Sequence, residues 1–197
     1  MKKGLFRSGV SVGHDKFIGP VRHWVETVVV GLNLCPFAKR ELVNDRVRFS
    51  VSEAATEEQL LADLQAELEL LNNDEAVETT LLIHPGVLQD FFDYNQFLNY
   101  VDRLLMQMEL EGVYQVASFH PDYQFSGTRP DDVENYTNRS PYPMLHLIRE
   151  DSLERAIASY PDPDRIPERN IELLKSLGRD KMQALLKACY DVVEAGS

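Results

Sequence analysis

Two histidine-proline pairs stand out among the residues able to do chemistry. "LLIHPG" places His84 before Pro85, and "ASFHPD" places His120 before Pro121 with Asp122 next. An imidazole changes charge near neutral pH, and a neighbouring carboxylate can orient it, so His120 with Asp122 has the makings of a general acid/base. A third candidate is Cys35 in "GLNLCPFAKRE". Pro36 suits the first position of a short helix through Glu41, with Cys35 at its N-cap. Free amides and the helix dipole would there favour a thiolate, and Lys39 and Arg40 would add to the effect. That thiol could serve as nucleophile, metal ligand or redox-sensitive group; the plain alternative is a small residue filling a helix corner. Cys189 instead continues the helical stripe of Met182, Leu185 and Leu186 and reads as core.

The stretch "FHPDYQFSGTRPDDVENYTNRSPYP", residues 119–143, has almost no aliphatic residue and is far longer than an ordinary connection. Its density of Phe, Tyr and His argues against disorder. It is expected to be ordered and partly buried on Tyr123, Phe125 and Tyr142, held by side-chain bonds from Asp122, Asn138 and Arg139. Within it, Tyr123, Asn138, Arg139 and Ser140, together with His84, are the candidate substrate-binding residues, Arg139 as bidentate anchor for an anion. Against this, His-Pro at a strand end can be simple turn chemistry, with either imidazole bonded to a backbone carbonyl. His146 falls mid-strand and reads as core, while His14 and His23 have no supporting context.

These residues must be positioned by the elements around them. Pro20 opens a first helix with apolar Val21, Trp24, Val25, Val28 and Leu32. "RVRFSVS" alternates as a strand. Thr56 with Gln59 forms a capping box for a helix burying Leu60, Leu64, Leu68 and Leu71. "VETTLLIH" is a second strand, Asp90 or Asp93 starts a third helix, "VYQVASFH" is a third strand and "PMLHLIRE" a fourth, followed by helices divided at Gly178. The expected fold is α/β: a single domain over 18–197 with a mostly parallel four-stranded sheet covered by helices, a helical C-terminus, and residues 1–17 as a flexible arm. Parallel strands joined by helices are the reason. The fourth strand, reached without a helix, is free to run antiparallel. His84 and His120 would then share the carboxyl rim of the sheet, where open α/β sheets bind ligands.

The segments "NLCPFAKRE", "FHPDYQFSGT" and "NYTNRSPYPMLHLIRE" together resemble the signatures of an uncharacterised, mainly bacterial family, domain-of-unknown-function family 1415. The resemblance runs from the first helix to the last. It implies that Cys35, His120, Asp122, Tyr123, Asn138, Arg139 and Ser140 lie in the family's signature segments, and it names no substrate.

Composition narrows the function classes. The net charge is −12. Residues 1–48 carry nine Lys/Arg against four Asp/Glu, whereas 49–102 carry twelve acidic residues and no Lys or Arg. No basic surface for phosphates is indicated, so nucleic acid is not an expected partner. No apolar run reaches membrane-spanning length, and the start lacks the apolar core of a secretory signal. Two cysteines fit a reducing, cytoplasmic setting. No glycine-rich phosphate loop or dinucleotide fingerprint is present, so a nucleotide cofactor is not indicated, and any other cofactor stays unnamed. The leading expectation is an enzyme on a small anionic metabolite, with Cys35 as nucleophile, His120 as acid/base, Asp122 as its orienter and Arg139 as anchor. It requires the 33–45 connection to fold back toward the His rim. The alternatives are a metal site on His84, His120, Asp122 and possibly Cys35, without a recognised ligand spacing, or an interaction module using the acidic helix that contains Glu57, Glu58 and Asp63.

Overall fold

The computed structural model describes residues 13–191. Four strands, β1 (Val47–Val51), β2 (Thr79–Ile83), β3 (Tyr114–Phe119) and β4 (Met144–Arg149), form one sheet in the order β1-β2-β4-β3. β1 and β2 pair in parallel, and β4 runs antiparallel to both β2 and β3. Three strands therefore share one direction and the fourth opposes them, as the helix-free entry to β4 allowed. The insertion of β4 between β2 and β3 was not anticipated. His84 and His120 are thus separated by the start of β4 rather than carried on adjacent strands.

Helices cover both faces. On one, α3 (Glu57–Asn73) lays down Leu60, Leu64, Leu68 and Leu71, and α4 (Phe91–Gln107) lays down Tyr94, Phe97, Val101, Leu104 and Leu105. They pack on Leu82, Leu145 and Leu147. Burial of each such side chain contributes about 1.5–3 kcal/mol. Both helices start on side-chain caps: Thr56 accepts from the Gln59 amide, and Asp90 accepts from the amides of Phe92 and Asp93. The opposite face is covered by α1 (Asp15–Trp24), α6 (Ile166–Leu177) and α7 (Arg179–Asp191), over Leu81, Ile83 and Met144. Cys189 is fully buried in that layer, as its stripe predicted. α2 (Ala38–Val43) leads into β1, and α5 (Glu150–Ala158) follows β4 directly.

α1 begins at Asp15, five residues before the expected start, and takes in Pro20 as an interior residue. Most of the expected arm, 1–17, lies outside the described residues, but Asp15–Phe17 belong to α1. The helix then widens into a π-helical stretch, Val25–Val30, ending at Gly31. A Cβ at Gly31 would lie 2.2 Å from the Thr27 carbonyl oxygen, so only glycine fits there.

Candidate functional site

Strand parity puts Leu82 and His84 on the α3/α4 face, and likewise Val116 and His120. Both imidazoles are fully buried at the carboxyl rim, and the ring of Tyr94 lies between them, 5.8 Å from His84 and 5.2 Å from His120 between centroids. The Tyr94 hydroxyl donates to the Met144 carbonyl at 2.8 Å and accepts from the Phe119 amide at 3.0 Å, tying the first residue of β4 to the last of β3.

The two imidazoles grip one loop. His84 Nδ1 donates to the carbonyl of Val87 at 3.1 Å, and His120 Nε2 donates to that of Leu88 at 3.2 Å. His120 Nδ1 accepts from the backbone N–H of Asp122 at 3.0 Å, which fixes the neutral tautomer. The expected orienting group is therefore the Asp122 amide; its carboxylate is exposed. His84 Nε2 is buried without a hydrogen-bond partner among the described residues. Desolvation pushes His84 down to about 4, assisted by the nearby His120. Desolvation also lowers His120, against the opposing pull of the Leu88 carbonyl and of Asp122 and Asp90. Neither ring presents a free nitrogen to solvent, so the turn-chemistry reading is the one realised.

Cys35 takes no part in this cluster. α2 starts at Ala38 with Phe37 at its cap, leaving Cys35 in the preceding turn rather than at the N-cap. The adjoining residues Asn33 and Leu34 are bonded through their carbonyls to Arg169 and Asn170 of α6, on the α1/α6 side of the sheet. Both nitrogens of His120 are already engaged on the other side. The amides of Phe37 and Ala38 favour the Cys35 thiolate, but burial outweighs them and pushes the thiol up. The nucleophile–base dyad is not assembled, because the 33–45 connection does not cross to the His rim. Nor do the expected metal ligands converge: no group of three His, Cys, Asp or Glu side chains with metal-binding geometry occurs among the described residues.

The 119–143 loop is ordered and partly buried, as expected, and its polar side chains hold the loop itself. Arg139 donates to the carbonyls of Tyr123 at 3.2 Å and Pro130 at 2.8 Å and lies 4.7 Å over the Tyr136 ring. Asn138 donates to Ser118 at 3.0 Å, and buried Ser140 donates to Tyr142 at 2.7 Å. Tyr123 packs its ring against Phe91 and Phe125. The guanidinium expected to anchor substrate is thus occupied by loop carbonyls. The central residue of the loop is one the sequence reading passed over. Asn135, fully buried, accepts from the Phe125 amide at 3.0 Å and the Thr128 hydroxyl at 2.8 Å, and donates to the Arg129 carbonyl at 2.8 Å.

A solvent-reachable cleft of about 310 Å³ lies elsewhere on the same rim, at the carboxyl ends of β1 and β2. The first turn of α1 lines it with Lys16 and Phe17, and Gly13 and His14 lie just before that turn; Ser52 and Glu53 follow β1, and Pro85 and Gly86 follow β2. His14 Nε2 lies 2.9 Å from Glu53 Oε1. The Ser52 hydroxyl is taken by Asp63 at 2.5 Å. A Cβ on Gly86 would approach the Ala54 carbonyl oxygen to 2.9 Å, so glycine lets the β2–α4 loop close against the end of β1. The sequence reading did not find this cleft, because it applied the strand-end rule to β2 and β3 and not to β1.

No helix is long and apolar enough to cross a membrane among the described residues. No curated protein and no solved structure matches the chain. A family model does match, over residues 16–184, which takes in both faces of the sheet and the 119–143 loop. The chain belongs to that family, described as a protein of unknown function, DUF1415.

Proposed function

We propose that the chain binds a small anionic metabolite in the cleft at the carboxyl ends of β1 and β2, in a cytoplasmic setting consistent with its two free cysteines. The observation that carries this reading is the cleft's wall: the first turn of α1, with Lys16 and the preceding His14, faces the ends of two parallel strands. The His14 carbonyl takes the amides of Phe17 and Ile18, which leaves the amides of Asp15 and Lys16 without an intrahelical partner, and with the helix dipole these favour a negative group. Lys16 adds a positive charge at the same place, while the Glu53 carboxylate in the lining is paired with His14. The volume suits a ligand of a few heavy atoms and stands at the low end for small-molecule sites. Proton transfer in the cleft falls to His14, which Glu53 holds by its Nε2. The Cys35–His120 route has no geometric support, and the acids of α3 are partly engaged by their own strand, which weakens the interaction-module reading.

Thermal unfolding with a panel of carboxylates and phosphate esters tests the reading. At about a hundred times its dissociation constant a true ligand stabilises the protein by about 2.7 kcal/mol. One anionic class is expected to raise the melting temperature of the native chain, and Lys16→Ala is expected to remove most of that rise while neutral sugars have no effect. Equal responses from the native chain and Lys16→Ala, or no response to any anion, would overturn it.

A further inference from the structure

The β2–α4 loop, Pro85–Gln89, joins the buried histidines to the cleft. Pro85 and Gly86 line the cleft, while the next two residues, Val87 and Leu88, give their carbonyls to His84 and His120. Both carbonyls are held by imidazole N–H donors from strands that flank β4. Leu88 has φ of +57°, a left-handed conformation that costs a branched residue energy and persists only where its surroundings impose it. Val87 and Leu88 are buried; a turn at Pro85–Gly86 opens the loop, and Gln89 adds side-chain bonds to Pro85 and Val87.

We propose that Pro85–Gln89 is an acid-released latch on the cleft, closed while His84 and His120 are both neutral and freed when either takes up a proton. The two rings fail in different ways. Protonated His84 would place an N–H at Nε2, which is buried and has no acceptor among the described residues. To hydrate that charge the ring must leave its site, and Val87 is released with it. Protonated His120 would turn Nδ1 into a donor facing the Asp122 amide, itself a donor. The ring must then swing toward a carboxylate and give up Leu88. The titratable groups around His84 are Tyr94 and His120. Around His120 they are Tyr94, His84, Asp122 and Asp90, and the two carboxylates supply the acceptors for the swung-out ring. Relief of the Leu88 backbone strain favours the same direction. The consequence for ligand occupancy rests on the metabolite reading above, but the movement of the loop does not.

Backbone ¹⁵N relaxation on the full chain separates the two. Order parameters for Gly86, Val87, Leu88 and Gln89 are expected to drop from about 0.85 near pH 7.5 to below about 0.6 by about pH 4, where His84 takes up its proton, while Phe97 and Val101 in α4 keep theirs. His84→Asn with His120→Gln keeps an amide donor for each carbonyl and removes both titrations, so its loop is expected to stay ordered at both pH values. A loop that stays rigid down to about pH 4 in the native chain, or loosens equally in the double variant, or loses order only together with α4, would overturn the latch. Should the double variant not fold, the ring resonances of His84 and His120 in the native chain decide. Their midpoint must coincide with that of the loop, and separate midpoints would overturn the proposal. None of these readouts needs a ligand, so a failed anion screen leaves them standing.

Discussion

Asn135 shows how a single side chain can organise a long loop. Its carbonyl oxygen takes the Phe125 amide and the Thr128 hydroxyl, and its amide nitrogen reaches the Arg129 carbonyl, so one buried group joins the two arms of the 119–143 excursion. Removing it strands partners that cannot all reach water, and each unsatisfied buried group costs about 1–3 kcal/mol. Asn135→Ala is therefore expected to destabilise the protein by about 2–4 kcal/mol, seen as a lower urea midpoint at unchanged slope. Arg139→Ala removes two bonds from a half-exposed guanidinium and is expected to cost about 1 kcal/mol. Equal losses would show that the loop is held evenly rather than from Asn135. The sequence made Asn138 and Arg139 the conspicuous members of this segment because charge and planarity are visible in a residue name. Whether an amide is buried and fully bonded is decided by the path of the backbone around it, which no residue name encodes.

At the scale of elements, α3 and β1 hold a polar seam. Arg48, Ser50 and Ser52 alternate onto the face of β1 that meets α3. There Arg48 Nε donates to Glu67 at 2.7 Å, Ser50 donates to the same carboxylate at 2.8 Å, and Ser52 donates to Asp63 at 2.5 Å. The acidic helix thus meets part of its complement on its own strand. Glu67 has a side chain only 12% exposed, so leaving it unpaired is costly. Arg48→Met is expected to destabilise by about 3 kcal/mol, and adding Glu67→Leu should recover much of that loss, because the pair can be replaced by apolar packing at little net cost. A double-mutant cycle by urea denaturation reads the coupling, and strictly additive losses would show that the seam carries no pairing energy. Element types and their order were legible in the sequence, since the stripes of α3 and α4 and the alternation of the strands repeat at fixed periods. The position of β4 was not, because it depends on how the loop before it crosses the rim. The cleft escaped for a similar reason: residues 13–17, 51–53 and 85–86 are each ordinary, and only the sheet brings them together. His84 and His120 were legible as strand-end residues, but their partners are backbone carbonyls of Val87 and Leu88, groups that every residue possesses.

Across the whole molecule, two fully buried histidines, His84 and His120, and the half-buried His146 favour the neutral form, and this couples the stability of the fold to pH. His84 and His146 are both pushed down to about 4 by desolvation, and His120 is lowered as well. In the unfolded chain each returns to about 6.5. As pH falls below that value the unfolded chain takes up protons that the native chain refuses, so stability is full above about 6.5 and is lost progressively toward 4. A depression of this size is of order 3 kcal/mol for each fully affected ring, against a total of about 5–15 kcal/mol for a domain. The latch changes the shape of the loss. Once Pro85–Gln89 opens, His84 and His120 can bind protons without global unfolding, and the pull on the fold from those two rings levels off. His146 has no such escape: it sits in the middle of β4, paired with Leu81 of β2 and Ala117 of β3, with Thr79 2.7 Å from its Nε2. Urea unfolding measured at intervals from about pH 7.5 to 4 is therefore expected to give a slope that grows below about pH 6.5 toward about three protons near pH 5.5, falling toward about one after the loop has loosened. In His146→Gln the later, single-proton part should vanish while the loop transition stays where it was. A slope that never exceeds one proton, or a His146 variant with the pH dependence of the native chain, would mean that these rings do not set the acid stability of the fold.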